Sequence, residues 1–275
     1  MLYRFVLLIL FCSFSGISPA QTLTESSPFG IGERLSKRFP PPDGFTRVPV
    51  RSNSFAAFLR SLPVKPVASP VLDYKNRIVK DGADTTVAAV VQLNIKGKKL
   101  EQCMDILQRL FAEYCIQSGQ EKKIGFLLPD KTKFFWHEWR EGWRPVRAKD
   151  KYPLQKIGHQ ARSRDTFEDY LKEIFYHSGT QTNYFGLKKI APAHVSIGDM
   201  LIKRGPRGHA VLITDMVENS EGIRMALFAQ GDTPACQLHI LQNTSGMPWI
   251  PLDVSQPSPE LPIRKKMHWN GLRRF

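Results

Sequence analysis

Cysteine is scarce in this 275-residue chain: there are four, none in a CxxC pair and none clustered with histidine at metal-ligand spacing. That excludes a structural zinc site and a dense disulfide scaffold, and neither a metal nor a cofactor is expected. Long apolar runs are missing too. The run from Phe5 to Phe14 falls far below the roughly 20 residues a spanning helix needs, and no later uncharged segment is longer, so no integral membrane span is expected. No internal repeat is present, and acidic residues are in short supply. Lys+Arg number 39 against 25 Asp+Glu, a formal +14, which favours anionic partners such as cell-wall polymer, lipid headgroups or nucleic acid without choosing among them. What is there is a globular composition, 42% hydrophobic and 23% charged, able to bury a core; this excludes pervasive disorder.

Residues 1–20 read as a cleavable secretory signal: Arg4, the apolar run, then Ser18-Pro19-Ala20 before Gln21. Bulky Phe11 argues against a lipid anchor on Cys12, because a lipid-anchoring signal wants a small residue there. Removal of the signal takes Cys12 with it and leaves Cys103, Cys115 and Cys236, so at least one thiol stays unpaired within the chain. Cys103 and Cys115 are twelve residues apart on one expected helix, about 18 Å along its axis. A disulfide needs Cα atoms within about 7 Å, so these two cannot bridge, although either is open to pairing with Cys236.

Residues 21–46, rich in Pro, Ser and Gly, read as an extended arm, and the folded domain is expected over 47–246. Ser54 caps a short helix with Phe55, Phe58, Leu59 and Leu62 on one face. A buried strand is expected over 85–95. The strongest helix runs from Leu100 to Tyr114, with Cys103, Met104, Leu107 and Leu110 on an apolar stripe and Glu101, Asp105, Arg109 and Glu113 opposite. Strands at 124–128 and 133–139 form a hairpin, and a helix at 165–176 starts from an Asp165/Glu168 capping box. Short strands at 198–202, 209–215, 223–230 and 237–241 then form an antiparallel meander. Residues 247–275 read as a basic, proline-containing tail, surface-hugging or loose.

Gly198-Asp199-Met200-Leu201-Ile202, a glycine turn, and His209-Ala210-Val211 resemble the paired core strands of papain-like cell-wall hydrolases of the NlpC and CHAP types. In those enzymes a histidine opening a strand serves as base to a cysteine at a helix start. That chemistry needs a thiolate, an imidazole to take its proton and a polar group to orient the ring. The candidates are Cys103, where the positive helix end would lower the thiol pKa, His209, and Gln230 at the end of the next strand. Against this stand bland readings: Cys103 falls in an apolar stripe as a core thiol would, His209 shares strand parity with Val211 and Ile213, and Asp199 suits turn duty. Cys236, Thr180 and Thr182 are weaker nucleophile candidates.

Residues 131–164 hold ten Lys/Arg against three Asp/Glu, interleaved with aromatics. Trp136, Trp139, Trp143, Arg140 and Arg144 are therefore candidates for binding sugar rings or anionic wall polymer; export argues against nucleic acid. The alternative is that the aromatics form a hairpin core under a solvated charged face.

Taken together, Ser54 to Val64, the Glu101-Gln102-Cys103 helix on to Tyr114, Ser178-Gly179-Thr180, the Gly198-Asp199 to Gly208-His209-Ala210 unit and Ala229-Gln230-Gly231 with Pro234-Ala235 resemble the exported bacterial family catalogued as domain of unknown function 4846, over about residues 45–245. The resemblance implies a Cys at position 103, and a polar residue, often Gln, where this chain has Cys236. The expectation is an exported α+β domain, an antiparallel sheet with packed helices in a papain-like arrangement. Three functional readings stay open: a cysteine hydrolase or amidase acting on peptidoglycan-like envelope material, a non-catalytic envelope- or glycan-binding module, and a papain-like scaffold that is catalytically dead. Oligomeric state is not legible.

Overall fold

A computed structural model describes residues 27–205 and 207–275; the signal-like segment, Cys12 and residues 21–26 lie outside the described residues. The fold is α+β, built on a nine-stranded antiparallel sheet. Its strands are β1 (Phe45–Arg47), β2 (Val87–Val90), β3 (Lys188–Lys189), β4 (Met200–Lys203), β5 (His209–Asn219), β6 (Arg224–Gln230), β7 (His239–Leu241), β8 (Ile250–Pro251) and β9 (Leu272–Arg274). They lie in the order β3-β9-β4-β5-β6-β7-β2, with β1 paired to the far end of β5 and β8 to the near end of β6.

The central strands β4, β5 and β6 are the meander that the sequence announces. They are buried along most of their length because helices cover the sheet, and β5 is apolar on both faces from Ala210 to Ile213. A register shift between Ile213 and Asp215 lets the later part of β5 turn toward β1. There Asp215, fully buried, accepts from both Arg47 and Arg60. Helix α1 (Phe55–Arg60) begins as its cap requires, the Ser54 hydroxyl accepting the Ala57 N–H at 3.2 Å.

Helix α2 (Cys103–Gln117) is the spine, buried on nearly every side. Met104, Ile106, Leu107 and Leu110 join the sheet's core, whereas Ala112, Cys115 and Ile116 join a second core with α3 (Trp136–Arg140), α4 (Arg164–His177) and the hairpin 125–135. Its charged stripe does not face water. Arg109 is 1% exposed and donates to Glu101 (2.6 Å) and to both carboxylate oxygens of Glu168 on α4 (2.8 and 2.6 Å), while Arg164 pairs with Glu113 at 2.6 Å. A helical period separates polar from apolar positions; it does not say whether another helix covers the polar ones.

Four sequence expectations are corrected. Residues 133–139 are a strand only to Phe135; Trp136 to Arg140 is helix α3, with the Glu138 carboxylate accepting the Phe135 N–H. Helix α4 is capped by Ser163, whose hydroxyl accepts the Thr166 N–H, not by Asp165. Over its described residues, from 27 on, the arm is docked: Leu35 is fully buried, and Glu33–Arg34 and Phe45–Arg47 pair with other strands. The basic tail is likewise structural, because β9 is inserted between β3 and β4, and Phe275 stacks on Phe111. A basic, proline-containing stretch reads as tail in a sequence, yet Arg274 has a partner in Asp199 and Arg273 is buried.

Candidate active site

The end of β6, the start of β5 and the head of α2 meet at one point. Gly208 precedes His209 with no room for a side chain, because a Cβ there would run into Thr180, the first residue of α5 (Thr180–Gly186), and the Lys203 carbonyl. Gly231, just past Gln230, lies against Ile106 and the Gln102 carbonyl, so β6 ends directly on the first turn of α2. A hydrogen bond from Thr233 Oγ1 to Gln102 Oε1 (2.8 Å) ties the loop after β6 to the same turn. The Asp105 carboxylate accepts the Gln102 N–H at 3.0 Å and fixes the entry to the helix, leaving Cys103 as its first residue.

His209 is 2% exposed. Its Nε2 lies 2.6 Å from Gln230 Oε1, as the alternation along two adjacent strands allows. Behind Gln230, its Nε2 is 3.2 Å from His239 Nε2 on β7, and His239 Nδ1 meets the Gln237 carbonyl at 2.9 Å. His209 Nδ1, facing away from Gln230, is buried with no hydrogen-bond partner among the described residues; the Asp232 carboxylate stands 4.0 Å from it. An unpartnered ring nitrogen in the interior is costly unless something is meant to meet it.

Two adjoining cavities flank this point. One, about 560 Å³, is lined by His209, Gln230, Asp232, Cys236 and His239 together with Lys80 and Arg264. The other, about 490 Å³, is lined by Cys103, Asp105, Thr180, Arg207 and Gly208. Thr233 and Lys265 line both. Cys103, only 5% exposed, thus reaches one cavity and His209 the other. The backbone of Ala210, the residue after His209, lies close enough to the Cys103 sulfur to favour its thiolate.

The electrostatics reverse one expectation. Burial, with the nearby Asp105 carboxyl, pushes the Cys103 thiol up to about 11, against the Ala210 backbone and the Lys265 charge, which favour the thiolate. Burial also pulls His209 below its usual value, opposed by Gln230 and Asp232. Thiol and imidazole therefore rest as a neutral pair, and the helix-end effect on the sulfur is outweighed.

A family model described as domain of unknown function 4846 matches residues 35–263. The chain belongs to that family. No curated protein and no solved structure matches it. The matched span begins at buried Leu35 and takes in α2, β5, β6 and β7, so every side chain of the site described above, except Arg264 and Lys265, falls within the family domain.

The remaining sequence candidates sit elsewhere. Trp136 is fully buried and Trp139 nearly so, both in the second core; neither ring is available to stack on a ligand. Trp143 is half-buried against the same core. Arg144 lies over the Trp139 ring, 3.6 Å from its centre, and donates to the Trp139 and Trp143 carbonyls, while Arg140 pairs with Glu121. None of the five lines either cavity. Asp199 has the turn role, accepting the Ser196 N–H and the Arg274 guanidinium. Cys103, Cys115 and Cys236 are free and buried, with no disulfide among the described residues. His239, Asp232, Thr233 and Lys265 were not singled out from the sequence. A second histidine nine residues after Gln230 was the one available signal, and it sits in an apolar strand like any core residue.

No helix among the described residues is long and apolar enough to cross a membrane.

Proposed function

We propose that this chain is an exported papain-like cysteine hydrolase or amidase acting on peptidoglycan-like envelope material, with Cys103 as nucleophile, His209 as general base and Gln230 as the residue that orients the ring. The observation that carries the reading is the His209 ring: Nε2 is held by Gln230 while Nδ1 is left bare and buried at the start of β5, 4.0 Å from Asp232 and outside hydrogen-bond range of the Cys103 thiol, which opens on the adjoining cavity. A base needs one nitrogen anchored and the other free.

In the proposed reaction the Cys103 thiol proton passes to His209 Nδ1 as the sulfur attacks the amide carbonyl. The C–N bond of the tetrahedral intermediate then breaks, and the imidazolium returns its proton to the leaving amine. Water, deprotonated by the same Nδ1, next cleaves the thioester, giving the carboxylic acid and the free thiol. Gln230 Oε1 and, at 4.0 Å, the Asp232 carboxylate favour the transient imidazolium. Because the resting pair is neutral, the thiolate forms only as the bond to substrate is made. Arg264, Lys265, Arg207 and Lys80 around the two cavities suit an anionic substrate, in keeping with the overall positive charge.

The test is turnover of purified muropeptides, followed by mass spectrometry. Cys103→Ala and His209→Ala should each abolish product formation, and Gln230→Ala should reduce it by about 10². Product formation that survives Cys103→Ala would sink the proposal. The binding-module reading loses its aromatic platform to the core and has no observation in its favour.

A further inference from the structure

His239 is a buried titratable group that the reaction above does not use, and the hydrogen bonds around it have only one consistent sense. The Gln237 carbonyl accepts and cannot donate, so His239 Nδ1, 2.9 Å away, carries the proton. The ring is fully enclosed, and burial lowers it to about 4, so at ordinary pH it is neutral and holds one proton only. Its Nε2 is therefore a bare acceptor. The group 3.2 Å away must donate, which makes it the NH₂ end of Gln230 and turns the amide oxygen toward His209. That oxygen accepts in turn, so His209 Nε2 carries the proton and Nδ1 does not. With the amide reversed, its oxygen would face the His239 lone pair and the order would fail at once.

We infer that His239 is a positioning residue: by accepting from Gln230 it decides which end of that amide meets His209, and so holds His209 in the tautomer whose bare Nδ1 is able to take a proton. The inference rests on the proposed hydrolase reading for its purpose, but not for its geometry. The polarity runs from the Gln237 carbonyl on the loop before β7, through β7 and β6, to the first residue of β5, crossing three adjacent strands. The β7 ladder is backbone to backbone, so exchanging the His239 side chain leaves the strand pairing in place.

Imidazole nitrogen NMR on the full chain with ¹⁵N-histidine tests this without any substrate. The expected spectrum has His239 protonated at Nδ1 and His209 at Nε2. His239→Gln, whose amide oxygen still accepts from Gln230, should leave the His209 tautomer unchanged. His239→Leu should turn it into a mixture and slow iodoacetamide alkylation of Cys103 at pH 8 in proportion to the working tautomer lost, by about twofold for an even mixture. A wild-type His239 protonated at Nε2, or a His209 tautomer that is pure in His239→Leu, would overturn the inference. Should His239→Leu not fold, the wild-type and His239→Gln spectra still decide it. Alkylation indifferent to His209→Ala, with the tautomers as expected, would instead defeat the hydrolase reading and leave the positioning role standing.

Discussion

A thiol at the head of a helix is ordinarily the more acidic for it, yet Cys103 is pushed up to about 11 because it is enclosed and Asp105 lies beside it. Its alkylation in the native protein should therefore climb steeply from pH 7 to pH 10, and Cys115 and Cys236, raised to about 12, should lag behind it. A Cys103 that labels fully at pH 6 would contradict this. His239 makes a second prediction. Its folded-state pKa, about 4, lies below the unfolded value of about 6.5, so between those limits the unfolded chain binds the extra proton and stability falls as pH falls. His239→Gln removes that proton and should flatten the dependence by up to about 3 kcal/mol across the same window, measured by urea unfolding at pH 4.5 and 7. His209 and Gln230 were legible as partners because strand parity and a short turn bring them onto neighbouring strands. His239 was not: nothing local distinguishes a buried histidine that orders a network from one that merely fills space.

Helix α2 is the element whose pattern was read correctly and whose surroundings were not. Its apolar stripe does face the sheet, but the opposite stripe is buried by α4, and Arg109 is shared among Glu101, Glu113 and Glu168. Arg109→Met would take from enclosed Glu101 its close cation, while Glu113 and Glu168 kept Arg164 and Lys98, and should cost about 3–5 kcal/mol in chemical denaturation. Glu168 is held down at about 2, its burial more than offset by Arg109 and Lys98. Its contribution is therefore full above pH 4.5 and lost as pH falls toward 2. The basic-aromatic stretch misled in the opposite direction. Aromatic residues favour strands on average, but Trp136 and Trp139 suit one turn of helix once Phe134, Phe167 and Tyr170 surround them. Trp139→Ala should consequently lower stability by about 3–5 kcal/mol, seen as a drop in melting temperature. A normally folded Trp139→Ala protein with weakened polymer binding would restore the surface reading.

At the scale of the whole molecule, a formal +14 and a cationic rim around both cavities would make any association with an anionic polymer electrostatic. Co-sedimentation with purified wall should fall sharply as salt is raised above about 0.1 M, where charges more than about 10 Å apart are screened. Retention that is insensitive to salt would point to a different kind of contact. The sheet also carries a consequence of its connectivity. Strand β9 fills a slot whose walls, β3 and β4, are complete long before Leu272–Arg274 has been made. Until those residues arrive, β4 offers its bare amides and carbonyls to any extended segment nearby, including the same segment of a sister molecule. A chain that lacks Leu272–Arg274 is thus expected to exchange or clump, because the strand that seals the slot is made well after the two that wall it.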